Sequence, residues 1–257
     1  MRFYDLSKSE RAVLVERIHH EVESSLRRGS IAPLREYAAS RDTYVRRHAY
    51  VTVGRLFRED LSLRSRIVEV LRHLSADENE YVRQTAVYAW GEVGKQDPNL
   101  AIVEIESAVH DSSHVVRNGA IGALKQMGAV HPEQVVGLAR RLWSHPSPEV
   151  RRVVLHGMEL RGRTHPEDIL PVLEKFTHDT DLRVRRMLIH VLSQISYKEG
   201  CLPKVVAALK EWDDRELLTA AVREILRVHE RYAKFSHLSP EEARRYIESH
   251  LSPARET

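Results

Sequence analysis

The chain writes one amphipathic phrase again and again. In YVRQTAVYAWGEVGK, residues 81–95, apolar or small side chains at Val82, Ala86, Ala89, Trp90 and Val93 form one stripe of a 3.6-residue helix, and Arg83, Gln84, Tyr88 and Glu92 fall off it. The phrase returns as YVRRHAYVTVGRL (44–56) and VVRNGAIGALKQMG (115–128). Aligned on the branched residue before an arginine, the copies anchor at Val45-Arg46, Val82-Arg83, Val116-Arg117, Val150-Arg151 and Val184-Arg185, with a weaker one at Leu217 in RELLTAAVREIL. Successive anchors lie 37, 34, 34, 34 and 33 residues apart. A fixed period of that size marks stacked structural repeats.

Upstream of each anchor runs a second amphipathic stretch, such as LRSRIVEVLRHL (63–74) and PEQVVGLARRLW (132–143). Turn-forming residues gather between the two, in SADENEY, HDSSH, SHPSPE and THDTDL. Each unit therefore reads as a helical hairpin, and a hairpin covers its apolar stripe only by packing on its neighbours. The expected fold is all-α: a right-handed α-α superhelix of about six hairpins with capping helices, forming a single domain over residues 1–250. Its parts are an N-terminal capping helix (1–29), repeats (30–229), a C-terminal helix (236–251) and a frayed tail (252–257). Ser7 and Glu10 have capping-box spacing, Gly29 closes that helix, and Ser239, Pro240 and Glu241 open the last one. Trp90 belongs to the buried stripe, and Trp143 and Trp212 are expected to pack between units.

Composition removes function classes. Of 257 residues 42% are hydrophobic, enough for a substantial core, but charges break every run that approaches the roughly 18 apolar residues of a membrane span. The start, MRFYDLSKSERAVLVERIHHEVE, has no apolar signal-peptide core, and the one cysteine, Cys201, excludes an internal disulfide. A cytoplasmic monomer with no membrane contact is expected. The formal net charge is only +3, although 32 of the 40 basic residues are arginine, whose planar fork suits carboxylates and phosphates. No Gly-rich phosphate loop, nucleophile elbow or zinc-protease helix occurs. His19, His20, His131, His145 and His165 fall on a terminal helix or in turns, as caps rather than ligands. The expectation is a non-enzyme without cofactor or metal.

An Asp-rich turn, then Val-Arg, then Ala and a Leu or Gly one or two turns later resembles the HEAT repeat, over about nine tenths of the chain. That resemblance implies that the anchor arginines Arg46, Arg83, Arg117, Arg151 and Arg185 form a structural ladder, with Asp42, Asp77, Asp111 and Asp179 as partners. The segment 145–198 is also similar to the HEAT-like alkylpurine DNA glycosylases, and Arg152 falls where one branch has a DNA-contacting arginine. Arg117, Ser113 and His190 fall where that branch has its catalytic Asp and two essential Trp. The other branch would need a Glu at His156 and an Asp at Gln194. Cations in place of carboxylates reverse the electrostatics that a damaged cationic base requires. The resemblance to deoxyhypusine hydroxylase fails because His48 is followed by Ala, and no His-Glu pairs recur in register.

On such repeats the concave face is lined by the second helix of each hairpin. Positions two, six and ten after the anchor leave the apolar stripe, giving a candidate binding row of Arg47, Arg55, Gln84, Tyr88, Glu92, Asn118, Gln126, Arg152, His156, Arg186, His190 and Gln194. Residues that favour specific contacts outnumber the Glu and Lys of an ordinary solvated face. The expected role is an interaction scaffold gripping a peptide or protein partner, an acidic one being favoured by Arg47, Arg152 and Arg186. The alternative is a nucleic-acid clamp of the alkylpurine glycosylase superfamily, acting in DNA alkylation repair.

Overall fold

The computed structural model describes residues 3–251; the expected tail at 252–257 lies outside them. All regular structure among the described residues is helical. The chain divides into two compact units, residues 1–131 and 132–257.

In the first unit a 3-10 turn at Phe3–Asp5 precedes α1 (Lys8–Arg28). The Ser7–Glu10 capping box is formed, and Gly29, at φ 75, closes α1 in the left-handed region that glycine tolerates without a Cβ clash. Three hairpins follow: α2 (Ala32–Ala38) with α3 (Thr43–Glu59), α4 (Arg64–Ser75) with α5 (Glu80–Val93), and α6 (Pro98–Val109) with α7 (His114–Val130). The second helices pack side by side, α1 on α3, α3 on α5 and α5 on α7. Their stripe is buried as expected: Val82, Ala86, Ala89, Trp90 and Val93 are all inaccessible or nearly so. Each large apolar side chain sealed this way stabilises the unit by about 1.5–3 kcal/mol. The α5–α7 approach is close enough that a Cβ on Gly91 would lie 2.8 Å from Ala123 Cα, so only glycine fits.

The second unit holds α8 (Pro132–Leu142), α9 (Pro148–Gly157), a one-turn α10 (Glu159–Gly162), α11 (Pro166–Leu173) running into a 3-10 turn at Glu174–Phe176, and α12 (Leu182–Ser196). Then come α13 (Cys201–Glu211), α14 (Arg215–Arg231) and α15 (Pro240–Leu251). α12 packs on α9 and α14, and α13 and α14 each pack on α15. The last helix starts at Pro240 rather than 236, because Ser239 caps it: its Oγ accepts from the Glu242 amide, and Glu242 accepts from the Ser239 amide in return. Trp212 is buried, whereas Trp143 is 39% exposed and lines a cleft with Lys175, His178 and Asp179 of the next repeat.

The repeated turn has a repeated hydrogen-bond pattern. Five residues before each anchor, a side chain accepts the backbone N–H two residues on: Ser40, Asp77, Asp111, His145 and Asp179 from residues 42, 79, 113, 147 and 181, at 2.8–3.2 Å. The anchor arginine then clamps its own turn. Arg46, Arg83, Arg117 and Arg151 donate from Nη1 to the carbonyls of residues 40, 77, 111 and 145, at 2.6–2.8 Å, and Arg185 donates to Thr177 at 2.8 Å.

Carboxylate pairing is the second half of the ladder, and it departs from expectation. Arg83 pairs bidentately with Asp111, and Arg151 with Asp179. Asp77, however, pairs with Arg35 of α2, and Arg185 takes Asp214, the N-cap of α14. Asp42 caps α3 and accepts the Phe3 amide, so Arg46 lies instead over the Tyr81 ring and donates to Gln84. Arg117 clamps its turn through Asp111 and Ser112 carbonyls, with its Nε buried and unbonded.

Candidate functional site

The second helices carry the candidate row, and the structure sorts its members. In the first unit Arg47 and Asn118 are exposed. Gln84 is not a free surface group: its amide donates to Val115 O at 2.9 Å and its carbonyl accepts from Arg46, stitching α3, α5 and α7 together. Tyr88 stacks on Tyr50 with ring centroids 5.1 Å apart, and burial pushes both phenols above the usual tyrosine value. Glu92 is held by Lys95 at 2.7 Å, and Arg55 faces Glu23 and Glu59 at 3.7 and 3.9 Å. Gln126 Oε1 is buried without a hydrogen-bond partner.

In the second unit Arg152, expected as a contact residue, is held by Glu149 at 3.2 Å and is largely covered. Gln194, placed on the exposed row by its spacing, is 7% exposed. Arg186 is the open cation. It lines a cleft of about 320 Å³ between α12 and α14 together with Ile189, His190, Ala220, Arg223 and Glu224. Neither Arg186 nor Arg223 pairs with a carboxylate among the described residues, and both are exposed. Arg223 was outside the expected row because its repeat is the degenerate one, anchored on Leu217 rather than on a Val-Arg pair.

Next to the cleft the fold assembles a cluster that spacing did not announce. The second helix of this hairpin breaks at Met158, between α9 and α10, and Glu159 opens the new turn with its side chain only 4% exposed. Its Oε1 accepts from Arg163 at 2.6 Å, and Arg163 also donates to Gln194 at 3.1 Å. Its Oε2 lies 3.1 Å from His156 Nε2 and 3.4 Å from His190 Nε2. The two imidazole rings meet edge to face at 5.4 Å. The three potential ligand atoms all lie within 4.8 Å of one another. His156 and His190 sit on the packed second helices of adjacent repeats, α9 and α12, and sequence inspection never put them beside Glu159. The one local signal was the His-x2-Glu spacing in HGME, which places both residues on one side of a helical turn.

A model of HEAT repeats matches residues 31–125, 67–159 and 135–226. No curated protein matches the chain. Among solved structures, an archaeal HEAT-like repeat protein from Thermococcus onnurineus NA1 is 16% identical, with 88% of this chain and 98% of that one covered at a TM-score of 0.41. A chain in the structure of the Pds5–Scc1 complex is 15% identical, with 80% of this chain and 36% of that one covered, TM-score 0.46. A designed armadillo repeat protein for modular peptide recognition is 17% identical, with 76% and 98% covered, TM-score 0.35. Those likenesses are too distant to say anything of a partner. Among the described residues no helix is long and apolar enough to cross a membrane.

Proposed function

The chain belongs to the HEAT-repeat family, and from that premise we propose that it is a non-catalytic recognition module whose second helices hold a peptide or protein partner by its acidic side chains. The observation that carries the reading is the α12–α14 cleft, where Arg186 and Arg223 stand exposed and unmatched by carboxylates. Several other arginines on these helices are held by internal carboxylates, Arg152 by Glu149 and Arg185 by Asp214 among them. A fold that satisfies so many guanidinium groups and leaves two side by side offers a carboxylate a ready fork. Ile189 and Ala220 give the same cleft an apolar floor for a neighbouring side chain.

Glu224 stands on the same lining as the arginines of the cleft, which favours discrete carboxylates over the evenly spaced phosphates of a duplex. The test is fluorescence anisotropy with labelled Glu-rich peptides carrying interspersed apolar residues, alongside a labelled DNA duplex, over a range of salt. The reading expects salt-sensitive peptide binding that Arg186→Glu and Arg223→Glu each weaken by about tenfold or more, equivalent to about 1.4 kcal/mol. Tighter binding of the duplex than of any acidic peptide, or peptide affinity unchanged in both variants, would refute it.

A further inference from the structure

We propose that His156, Glu159 and His190 form a binding site for a zinc-type divalent cation, with a coordination position open on the side of the α12–α14 cleft. This goes beyond the recognition reading and does not depend on it. Two imidazole nitrogens and one carboxylate are a donor set that zinc and other imidazole-preferring first-row ions accept, and that magnesium and calcium, which want oxygen, do not. A tetrahedral ion with bonds of about 2.0–2.1 Å requires ligand atoms about 3.3–3.4 Å apart. The two edges meeting at Glu159 Oε2 measure 3.1 and 3.4 Å, and the remaining edge is no longer than 4.8 Å. Small side-chain rotations close it.

The surroundings are those of a supported site. Arg163 fixes the other carboxylate oxygen, and Gln194 holds Arg163, so Glu159 is oriented as a one-oxygen ligand. That is a second role for Gln194, whose burial removes it from the partner-contacting row. Ligands come from two packed helical segments, His156 and Glu159 at the α9–α10 break and His190 on α12, so the ion would tie neighbouring hairpins together. His190 keeps 44% of its side chain exposed and lines the cleft, which gives the ion a route in. With three protein ligands the fourth position falls to water or to an incoming carboxylate.

The experiment uses the tag-free protein, stripped with a chelator and dialysed. Zinc chloride is titrated by calorimetry, and cobalt(II) is followed by the visible absorption that tetrahedral or five-coordinate cobalt shows far more strongly than the hydrated ion. One ion per chain is expected. His190→Ala removes the most exposed ligand and should keep the helical circular dichroism of the parent. It should weaken binding by about a hundredfold or more, since losing even an outer-shell partner costs about 10–100-fold. Glu159→Gln should do the same if it folds. A His19→Ala/His48→Ala protein, which removes the other close histidine pair, should bind as the parent does. Absence of stoichiometric zinc and cobalt binding overturns the proposal, and so does binding that survives His190→Ala and disappears in the His19/His48 variant.

Discussion

Removing the Asp111 carboxylate tests whether neighbouring repeats are fastened through their turns or merely packed. Arg83 on α5 donates from Nε and Nη2 to the two Asp111 oxygens at 2.9 and 3.0 Å, and both side chains are 16% exposed. Burial pushes the Asp111 carboxyl up, but the Arg83 hydrogen bonds, the Ser113 amide and the charges of Arg83 and Arg117 outweigh it and hold the group below the usual carboxylate range. The Arg83 guanidinium is raised, first by its hydrogen bonds to Asp111. Breaking a fully buried pair costs about 3–5 kcal/mol, and an exposed pair is worth about 0–1. With about five sixths of each side chain covered, and the Ser113 amide also losing its acceptor, Asp111→Ala should cost about 2–3 kcal/mol. Arg83→Met keeps the stem and should cost about 1–2 kcal/mol, with a coupling energy of about 1 kcal/mol in the double-mutant cycle. The assay is urea unfolding read by Trp90, buried on α5, in a Trp143→Phe/Trp212→Phe background so that only the first unit reports. Because the folded Asp111 value is depressed, the contribution is complete above the unfolded value near 4 and is lost as pH falls through the folded value. Coupling should therefore persist at neutral pH and vanish in strong acid. Coupling indistinguishable from zero at pH 7 would sink the idea that the ladder fastens repeats.

The other predictions concern single sites. Gly91→Ala puts a Cβ 2.8 Å from Ala123 Cα, so α5 and α7 must separate, and urea unfolding should show a loss of about 1–3 kcal/mol. His229 is sealed, its Nδ1 on Ile225 O at 2.9 Å, and burial lowers its pKa. Its contribution is present above the unfolded value near 6.5 and lost as pH falls through the folded value, so Tm should drop on acidification below about pH 6.5 and drop less in His229→Gln. Cys201 is buried and burial raises its thiol pKa, so a thiol-disulfide reagent should label it much more slowly in native protein than in urea; equal rates would contradict its placement.

Much of this architecture is legible before folding. The period of the Val-Arg anchors gives the hairpins, because a 3.6-residue apolar stripe can be covered only by another helix, and the stripe at Val82, Ala86, Ala89, Trp90 and Val93 is the one the fold buries. Ser7 with Glu10 and Gly29 mark the ends of α1 for equally local reasons, since capping involves residues three or four apart. The candidate site was only partly readable. Counting off the anchor selected Arg186, His156 and His190, but the same count put Gln84 and Gln194 on an open face, although the fold spends the first on the α3–α5–α7 seam and covers the second behind Arg163.

What the tertiary structure decided is the set of partners. Helical period fixes which way a side chain points, but not which residue some thirty positions away meets it, because that depends on the offset and tilt of packed helices. Asp77 therefore goes to Arg35 rather than Arg46, and Asp214 turns up as the mate of Arg185. Glu159 is the sharpest case. The sequence shows a lone acid after His-Gly-Met, and only the break at Met158 and the packing of α12 beside it bring that carboxylate within 3.4 Å of two imidazoles.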